Sequence, residues 1–248
     1  ECVSSSDPDF VVHLAAQALV REGYRDPHYT FETNVTGTLN LLAASQGAAN
    51  LRGRLIITSD KVYRNDGRRT EYTEEDPLGG RDPYSASKSM ADLLTQSWIH
   101  SFSGPPTAIV RAGNVVGGGD ISRDRLIPDS VRAALSESPL VLRYPSAVRP
   151  WQHVLDCLNG YLAVIDLLIK ENPNWLAWNV GPDPTHTASV GDVVQTFQRL
   201  GEFDFAVEES PVSGEREELL LSLDSSRLRR ESGWNDKIGL KEALEWTA

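Results

Sequence analysis

The sequence has few cysteines, no long apolar run and little positive charge, and each shortage argues against a class of protein. Two cysteines among 248 residues are too few for the disulfide framework of a small secreted domain. We therefore expect the reducing cytoplasm as the location. No apolar run approaches the roughly 20 residues that span a bilayer, and we expect no membrane partner.

Acidic residues outnumber basic ones, and the net charge of −11 argues against nucleic acid as a partner. One region departs from this balance. From Arg111 to Arg149 the chain carries six arginines and only four acidic residues. This local excess of positive charge suits a small anionic ligand, although a solvated surface is the alternative for each arginine taken alone.

One stretch, residues 59–88, combines the side chains that carry chemistry. It follows an apolar run at residues 55–58, whose short β-branched character predicts a buried parallel strand. It ends at a predicted helix in which Pro83 suits the first turn and Asp82 the cap. Tyr84 and Lys88 are four residues apart, so they share one face of that helix. We expect both side chains at the carboxyl edge of the sheet, where open α/β sheets bind ligands.

The pair of Tyr84 and Lys88 is typical of a base that needs a cation beside it. A phenol has an unperturbed pKa of about 10, and a nearby positive charge stabilises its anion. Lysine is scarce, with five in the whole chain, and two of the five, Lys61 and Lys88, lie in this stretch. The alternative is a surface pair without a chemical role.

Strands and helices alternate along the chain, which predicts an α/β fold with a parallel sheet and helices on both faces. The hydrophobic patterns predict strands at residues 10–16, 55–58, 107–111, 140–144, 175–180, 205–207 and 219–223. They predict helices at residues 29–45, 84–102, 128–135, 154–169, 186–200 and 240–246. The apolar side of the helix at 29–45 consists of Phe31, Val35, Leu39 and Leu42.

No turn of the Gly-x-x-Gly-x-x-Gly type precedes the strand at residues 10–16, although a dinucleotide-binding fold needs such a turn for the pyrophosphate. We therefore expect a further βαβ unit of about 30 residues ahead of this chain. The predicted fold is a Rossmann-type doubly wound parallel sheet, truncated at its N-terminus, with a smaller α/β substrate lobe. We assign residues 1–116 and 145–182 to the Rossmann-type domain, and residues 117–144 and 183–248 to the lobe.

Several motifs occur in order and cover most of the chain from about residue 11 to residue 181. They are Ser59-Asp60-Lys61, Tyr84-x-x-x-Lys88 and runs at residues 76–80, 111–120, 124–129 and 149–154. Together they resemble the extended short-chain dehydrogenase/reductases that act on nucleotide sugars. Within that family the pattern is similar to the 4,6-dehydratases, in particular the branch that acts on CDP-glucose.

The resemblance implies NAD as the cofactor, a nucleotide sugar as the substrate and a homodimer built from the helices at 29–45 and 84–102. The catalytic residues that it implies are Ser59, Asp60, Lys61, Tyr84 and Lys88. The implied cofactor-binding residues are Leu14, Ala15, Ala16, Gln17, Asn34, Thr58, Tyr84, Lys88 and Ala112. The implied substrate-binding residues are Asn114, Arg125, Leu126, Arg149, His153 and Arg216, and no metal ligand is implied.

By resemblance, the reaction is dehydration of CDP-glucose to CDP-4-keto-6-deoxyglucose, with Tyr84 and Ser59 serving oxidation at C4. Asp60 is then the acid of the elimination and Lys61 the base, whereas an exposed ion pair is the alternative for these two residues. A sugar epimerase or reductase would not need that pair. The absent glycine turn leaves a non-catalytic sugar-nucleotide-binding protein as a third alternative. The choice between NAD and NADP, the nucleotide base and the exact sugar stay open.

Overall fold

The computed structural model describes residues 2–67, 71–170, 176–210 and 221–248. Its strands are β1 (Phe10–His13), β2 (Gly53–Ile57), β3 (Thr107–Ala112), β4 (Val115–Val116), β5 (Leu140–Leu142), β6 (Val148–Pro150), β7 (Gln152–His153), β8 (Ala177–Val180), β9 (Thr187–Ser189) and β10 (Val207–Glu209). Its α-helices are α1 (Cys2–Ser6), α2 (Val20–Arg25), α3 (Pro27–Phe31), α4 (Gly37–Ser45), α5 (Pro83–Ser101), α6 (Leu126–Ser136), α7 (Val154–Lys170), α8 (Val190–Leu200), α9 (Ser226–Ser232) and α10 (Leu240–Glu245). The remaining elements are a π-helical turn at Glu32–Thr36 and 3₁₀ turns at Asp60–Val62 and Pro184–His186. None of the described helices is both long and apolar enough to cross a membrane.

Strands β1, β2, β3 and β8 form a parallel sheet in that order. The central strands β2 and β3 are buried without alternation because helices cover both faces of the sheet. Helices α7 and α9 pack on one face, where Leu55, Val110 and Trp178 are fully buried. Helix α4 lies on the opposite face, where the Arg54 guanidinium of β2 donates to the carbonyl oxygen of Leu42 at 3.2 Å. The predicted doubly wound parallel sheet is confirmed.

Helix α5 begins where the sequence predicts, because Asp82 and Pro83 define its first turn. The Asp82 side chain accepts a hydrogen bond from the Ser85 backbone N–H at 2.9 Å, and Pro83 occupies a position whose N–H would have no helical partner. A buried ion pair fixes the helix to the sheet, since Arg111 of β3 donates to both carboxylate oxygens of Asp92, at 2.8 and 2.9 Å. The first turn of α5 therefore stays beside the 3₁₀ turn that follows β2.

The helix predicted at residues 29–45 is present, but the structure divides it into α3, the π-helical turn and α4. Its buried face includes Thr30, Asn34, Thr38 and Leu42, whereas Leu39 is 39% exposed. The three polar residues of this face hydrogen-bond locally or to the chain after β1. The apolar side chains at positions 31, 35 and 39 are partly or largely exposed.

A second group of elements forms apolar clusters separate from the main sheet, and Phe197 is fully buried there. The group consists of α6, α8 and α10 with the paired strands β5 and β10. The strand predicted at 205–207 is observed as β10, two residues later. Of the strand predicted at 219–223, the first two residues lie outside the described residues, and at 221–223 the prediction is wrong because Leu223 forms only an isolated bridge with Tyr72. The helix predicted at 186–200 begins at Val190, since a 3₁₀ turn and β9 occupy residues 184–189.

Helix α9 connects this second group to the main sheet, and the sequence pattern does not predict it. Leu228 in α9 and Trp234 after it are buried against α7 and the sheet. Both residues lie in the segment 183–248 that we assign to the lobe. The division of the chain into two domains stays a prediction.

Candidate active site

A cavity of about 680 Å³ opens at the carboxyl edge of the main sheet. Residues that follow β2 and β3, together with the first turn of α5, form one side, which we call the sheet wall: Thr58, Ser59, Asp60, Lys61, Tyr84, Ala112 and Gly113. The opposite side, which we call the lobe wall, consists of Asp120, Asp124, Arg125, Leu126 and Arg143. Asn114 and Arg149 also line the cavity. The predicted position of the site, at this edge of the sheet, coincides with the cavity.

Ser59 connects the two titratable groups of the sheet wall. Its hydroxyl caps the 3₁₀ turn by accepting from the Lys61 backbone N–H at 3.2 Å, and it donates to Oδ1 of Asp60 at 2.9 Å. It also hydrogen-bonds the Tyr84 side chain. The single Ser59 hydroxyl proton can be donated to Asp60 or to Tyr84, but not to both at once.

Tyr84 is buried at the start of α5, and burial raises the pKa of its hydroxyl to about 12. The hydrogen bond with Ser59 lowers this pKa, the Asp60 carboxyl raises it, and the charge of Arg125 across the cavity lowers it again. Tyr84 is therefore protonated near neutral pH in the ligand-free protein. A role as base requires additional positive charge in the site.

Lys88 lies one helical turn below Tyr84, where it donates to the carbonyl oxygen of Ile57 at 3.1 Å. Burial lowers the pKa of Lys88 to about 8. Burial lowers the pKa of His13, and the charge of Lys88 lowers it further. The Lys88 ammonium is anchored on the strand and the residue is not part of the cavity wall. Its expected stabilisation of the Tyr84 anion stays a prediction.

Asp60 is the most deeply buried carboxyl of the cavity wall, with 2% of its surface exposed. Burial raises its pKa, and the charges of Lys61 and Arg149 and the hydrogen bond from Ser59 oppose that rise. Within the part of the chain that the structure describes, Oδ2 of Asp60 has no hydrogen-bond partner. The alternative of an exposed ion pair with Lys61 does not fit a side chain in this position. A buried carboxyl with a raised pKa is suited to act as a general acid.

The arginines of the cavity differ in how firmly they are held. Arg149 in β6 is buried, donates to the carbonyl oxygen of its neighbour Val148 at 2.9 Å, and lies near enough to Asp60 to lower its pKa. Arg125, immediately before α6, is half-exposed and 3.8 Å from the Asp120 carboxylate. Both guanidinium groups border the cavity, as a site for an anionic ligand requires.

The segment predicted to bind the cofactor lies beside this cavity rather than in its wall. Leu14 is 55% exposed and Ala15 is exposed, whereas Gln17 is buried. The Asn34 side chain makes two hydrogen bonds with the Gln17 backbone. Its Oδ1 accepts from the Gln17 N–H at 2.8 Å, and its Nδ2 donates to the Gln17 carbonyl oxygen at 3.0 Å. Asn34 thus positions the segment, and the small residues Ala15, which is exposed, and Ala16, which is partly buried, leave room for a ligand.

Among the predicted substrate-binding residues, His153 is held by contacts outside the cavity wall. The His153 ring packs edge-on against Trp246, with 5.4 Å between the ring centroids, and its Nδ1 accepts from the Leu155 N–H at 3.3 Å. His153 is not one of the residues that line the cavity. Arg216 lies outside the described residues.

The site residues expected from the sequence do not include Arg21, Gly113 and Tyr161, which also line the cavity. Tyr161 lies in α7, where burial, Cys157 and the nearby Tyr84 raise its pKa. The spacing of four between Cys157 and Tyr161 places both on one helix face, so helical periodicity could have found it. Arg21 pairs with Asp124 at 2.6 Å, a contact between distant segments that no local pattern predicts.

The amino-acid pattern of the NAD dependent epimerase/dehydratase family matches residues 1–181, which is well over half of the chain. The chain belongs to this family. The resemblance drawn from the motifs is thereby confirmed, as is NAD as the cofactor of the family. Among known members, the CDP-glucose 4,6-dehydratase of Salmonella typhimurium is 38% identical over 251 residues, which are 98% of this chain and 70% of that protein.

Solved structures of epimerase/dehydratase proteins share the fold. The dTDP-glucose 4,6-dehydratase of Bacillus anthracis, solved in complex with NAD, is 25% identical with a TM-score of 0.80, covering 99% of this chain and 74% of that one. RMD from Pseudomonas aeruginosa, solved with NADPH, is 25% identical with a TM-score of 0.79, covering 96% and 79%. The predicted Rossmann-type architecture is therefore confirmed.

The residues present in this family member fit a nicotinamide cofactor. The small side chains at positions 15 and 16, Thr58 after β2 and Ala112 at the end of β3 all lie at the carboxyl edge where such sheets bind dinucleotides. Tyr84 and Lys88 follow on the same side, in the first two turns of α5. Asn34 is the residue that would keep the segment after β1 in place against the ligand.

Proposed function

We propose that this protein dehydrates a nucleotide sugar, converting CDP-glucose to CDP-4-keto-6-deoxyglucose with NAD. The observation that carries the proposal is the buried Asp60 carboxyl, with its raised pKa, hydrogen-bonded to the same serine that contacts Tyr84. An epimerase or reductase needs the tyrosine but has no use for a neutral acid beside it. The identity of 38% with a CDP-glucose 4,6-dehydratase supports the same choice.

The first half of the proposed reaction is oxidation of the sugar at C4. NAD, when bound, accepts a hydride from the sugar and later returns it. Tyr84 takes the proton of the 4-hydroxyl, and the Ser59 hydroxyl donates to the same oxygen as it becomes a carbonyl. For this the sugar must displace the contact between Ser59 and Asp60, or share it. Arg125 supplies positive charge that favours the tyrosinate.

The second half is elimination of water across C5 and C6. The new C4 carbonyl acidifies the C5 proton, which the Lys61 amine removes, while Asp60 donates its proton to the departing 6-hydroxyl. The hydride then returns to C6 and the proton from Lys61 returns to C5, so the sugar has lost one water molecule and the cofactor is unchanged. The carboxyl that donates and the amine that accepts are neighbours in sequence, and both line the cavity.

Product analysis tests the proposal directly. The intact protein, incubated with CDP-glucose and NAD, should form a product lighter than the substrate by one water, and Tyr84→Phe should not form it. A product of unchanged mass with inverted C4 would instead establish epimerisation. Recovery of unaltered substrate under conditions in which the protein binds both ligands would refute catalysis of either kind.

We also propose a homodimer formed by α3, α4 and α5. Exposed apolar side chains lie on these helices at Tyr29, Leu39, Met90, Leu93 and Phe102, and an exposed apolar surface of this kind favours association. Sedimentation of the intact protein should show a dimer at micromolar concentration, whereas Leu93→Glu should shift it toward monomer. The cytoplasmic location stays a prediction from the cysteine content.

A further inference from the structure

Gly113, the residue that follows β3, lies directly against the carboxyl group of Asp60. A Cβ atom placed on Gly113 would be 2.1 Å from Oδ2, 2.3 Å from Cγ and 2.9 Å from Cβ of Asp60. These three atoms are its nearest neighbours, and all belong to Asp60. Contacts below 3.0 Å are essentially never tolerated, so a side chain at position 113 and the observed position of Asp60 exclude each other.

The backbone itself does not require glycine at this position. The φ angle of Gly113 lies outside the left-handed region, whereas Gly119 in the following loop has φ +82°. An alanine could adopt the conformation of residue 113 without backbone strain. The closest steric obstacle to a side chain at position 113 is therefore Asp60.

Asp60 is confined on two sides by this packing. Its Oδ1 receives the Ser59 hydroxyl at 2.9 Å, and its Oδ2 is pressed against Gly113 with no hydrogen-bond partner among the described residues. The carboxyl is thereby kept out of water and beside the hydroxyl that also contacts Tyr84. A larger residue at 113 would push it away from Ser59 or toward the open cavity.

We propose that Gly113 is a positioning residue that holds the Asp60 carboxyl in place as the acid of the elimination, so that glycine at 113 favours dehydration over oxidation and reduction alone. The effect of Gly113 on the reaction rests on the proposed function. The packing relation between the two residues is testable without any substrate.

The test is a double-mutant cycle on the thermal stability of the intact protein. Gly113→Ala should lower the melting temperature by at least about 2 °C, as a loss near 1 kcal/mol does in a chain of this size. In the Asp60→Gly background, which removes all three close atoms, the same change should have no effect or raise the melting temperature. Gly118→Ala is the matched control, because a Cβ there meets nothing within 4 Å, and it should be neutral in both backgrounds.

If Gly113→Ala does not fold, recovery of folding in the variant that also carries Asp60→Gly supports the same conclusion. Equal effects of Gly113→Ala in the two backgrounds, or a double variant that also fails to fold, would overturn the proposal. Infrared difference spectra against Asp60→Asn provide a second readout. In Gly113→Ala the carboxyl should reach water and lose its proton at a lower pH, whereas an unchanged titration would count against a positioning role.

The consequence for the reaction is measured separately. Gly113→Ala should reduce formation of the dehydrated product about 100-fold, within the range for loss of a general acid, while proton removal at the 4-hydroxyl by Tyr84 continues. If the parent protein forms no dehydrated product, the proposed function fails, but the stability cycle and the infrared titration still decide whether Gly113 positions Asp60.

Discussion

The two walls of the cavity are built differently. On the sheet wall, Ser59, Asp60 and Tyr84 are buried, joined to one another by hydrogen bonds and attached to β2 and α5. On the lobe wall, Arg125 and Asp124 are partly exposed and held by ion pairs near the surface. Buried, hydrogen-bonded placement and raised pKa values belong to the wall to which we assign the chemistry, whereas the charges of the other wall are partly exposed.

The sheet wall should be the side where a single substitution has the largest effect. Tyr84→Phe should lower turnover of CDP-glucose by about 10²–10⁴-fold, as expected for loss of a general base. Lys61→Ala should lower release of the dehydrated product by a similar factor, yet leave oxidation intact, so that reduced cofactor accumulates on the protein. Rapid mixing with detection of reduced cofactor, followed by product analysis, separates the two variants.

Near-parent dehydration by Lys61→Ala would remove Lys61 as the base and favour the epimerase or reductase alternative. Exposed Lys241 provides the control, since Lys241→Ala should leave both steps unchanged.

Arg149, buried but adjacent to the cavity, should have the next largest effect, and it should be on binding. Loss of a charge-assisted hydrogen bond costs about 1.5–3 kcal/mol, so Arg149→Ala should raise the Kd for CDP-glucose about 10–100-fold with little change in melting temperature. Calorimetric titration measures the affinity. The control is Arg25→Ala, which removes an exposed ion-pair partner of Glu22. An unchanged affinity would remove Arg149 from the binding site.

Burial of Lys88 should make the stability of the folded protein depend on pH. Its folded pKa of about 8 lies below the ordinary value of 10.5, so burying the charged form destabilises the fold fully below about pH 8. This cost disappears as the pH rises toward 10.5. Lys88→Met should therefore raise the melting temperature of the ligand-free protein most at neutral pH, with the gain shrinking between pH 8 and 10.5.

Calorimetric scans across that range test the Lys88 prediction, with Lys241→Met as an exposed control. A gain that is independent of pH would mean that the substitution acts through packing alone.

The lobe wall should give the smallest effect. Arg21 and Asp124 pair at 2.6 Å with both side chains partly exposed, and such pairs contribute about 0–1 kcal/mol. Arg21→Ala should shift the midpoint of chemical unfolding only slightly and change the Kd for CDP-glucose by at most about fivefold. A loss as large as that of Arg149→Ala would show that the two walls do not differ as described.

Local patterns predicted the elements that form the sheet wall. The apolar runs before Ser59 and Arg111 are β2 and β3, and Asp82 caps α5 as its sequence context indicates. Strand ends of a parallel sheet share one edge, which explains why the separate motifs at residues 58–61, 84 and 112–114 line one cavity. The first turn of α5 needed only the cap and the proline.

The remaining features depend on contacts between distant segments. Helix α9 becomes stable by burying Leu228 against α7, and β10 forms by pairing with β5, so neither has a strong signal of its own. The requirement for glycine at 113 arises from Asp60, 53 positions earlier in the numbering. His153 carries a polar side chain that suggests a site, yet an aromatic partner near the C-terminus determines its place.

The polar inner face formed by Thr30, Asn34 and Thr38 has a thermodynamic consequence. Exposing apolar surface raises the heat capacity, whereas exposing polar surface lowers it. Opening of α3 and α4 away from the chain after β1 would expose hydrogen-bonding groups more than hydrocarbon, so its heat-capacity change should be small. Cooling weakens apolar contacts. The polar contacts between this face and Gln17 should therefore lose less stability in the cold than the apolar contacts between the leucine-rich helix α7 and the sheet.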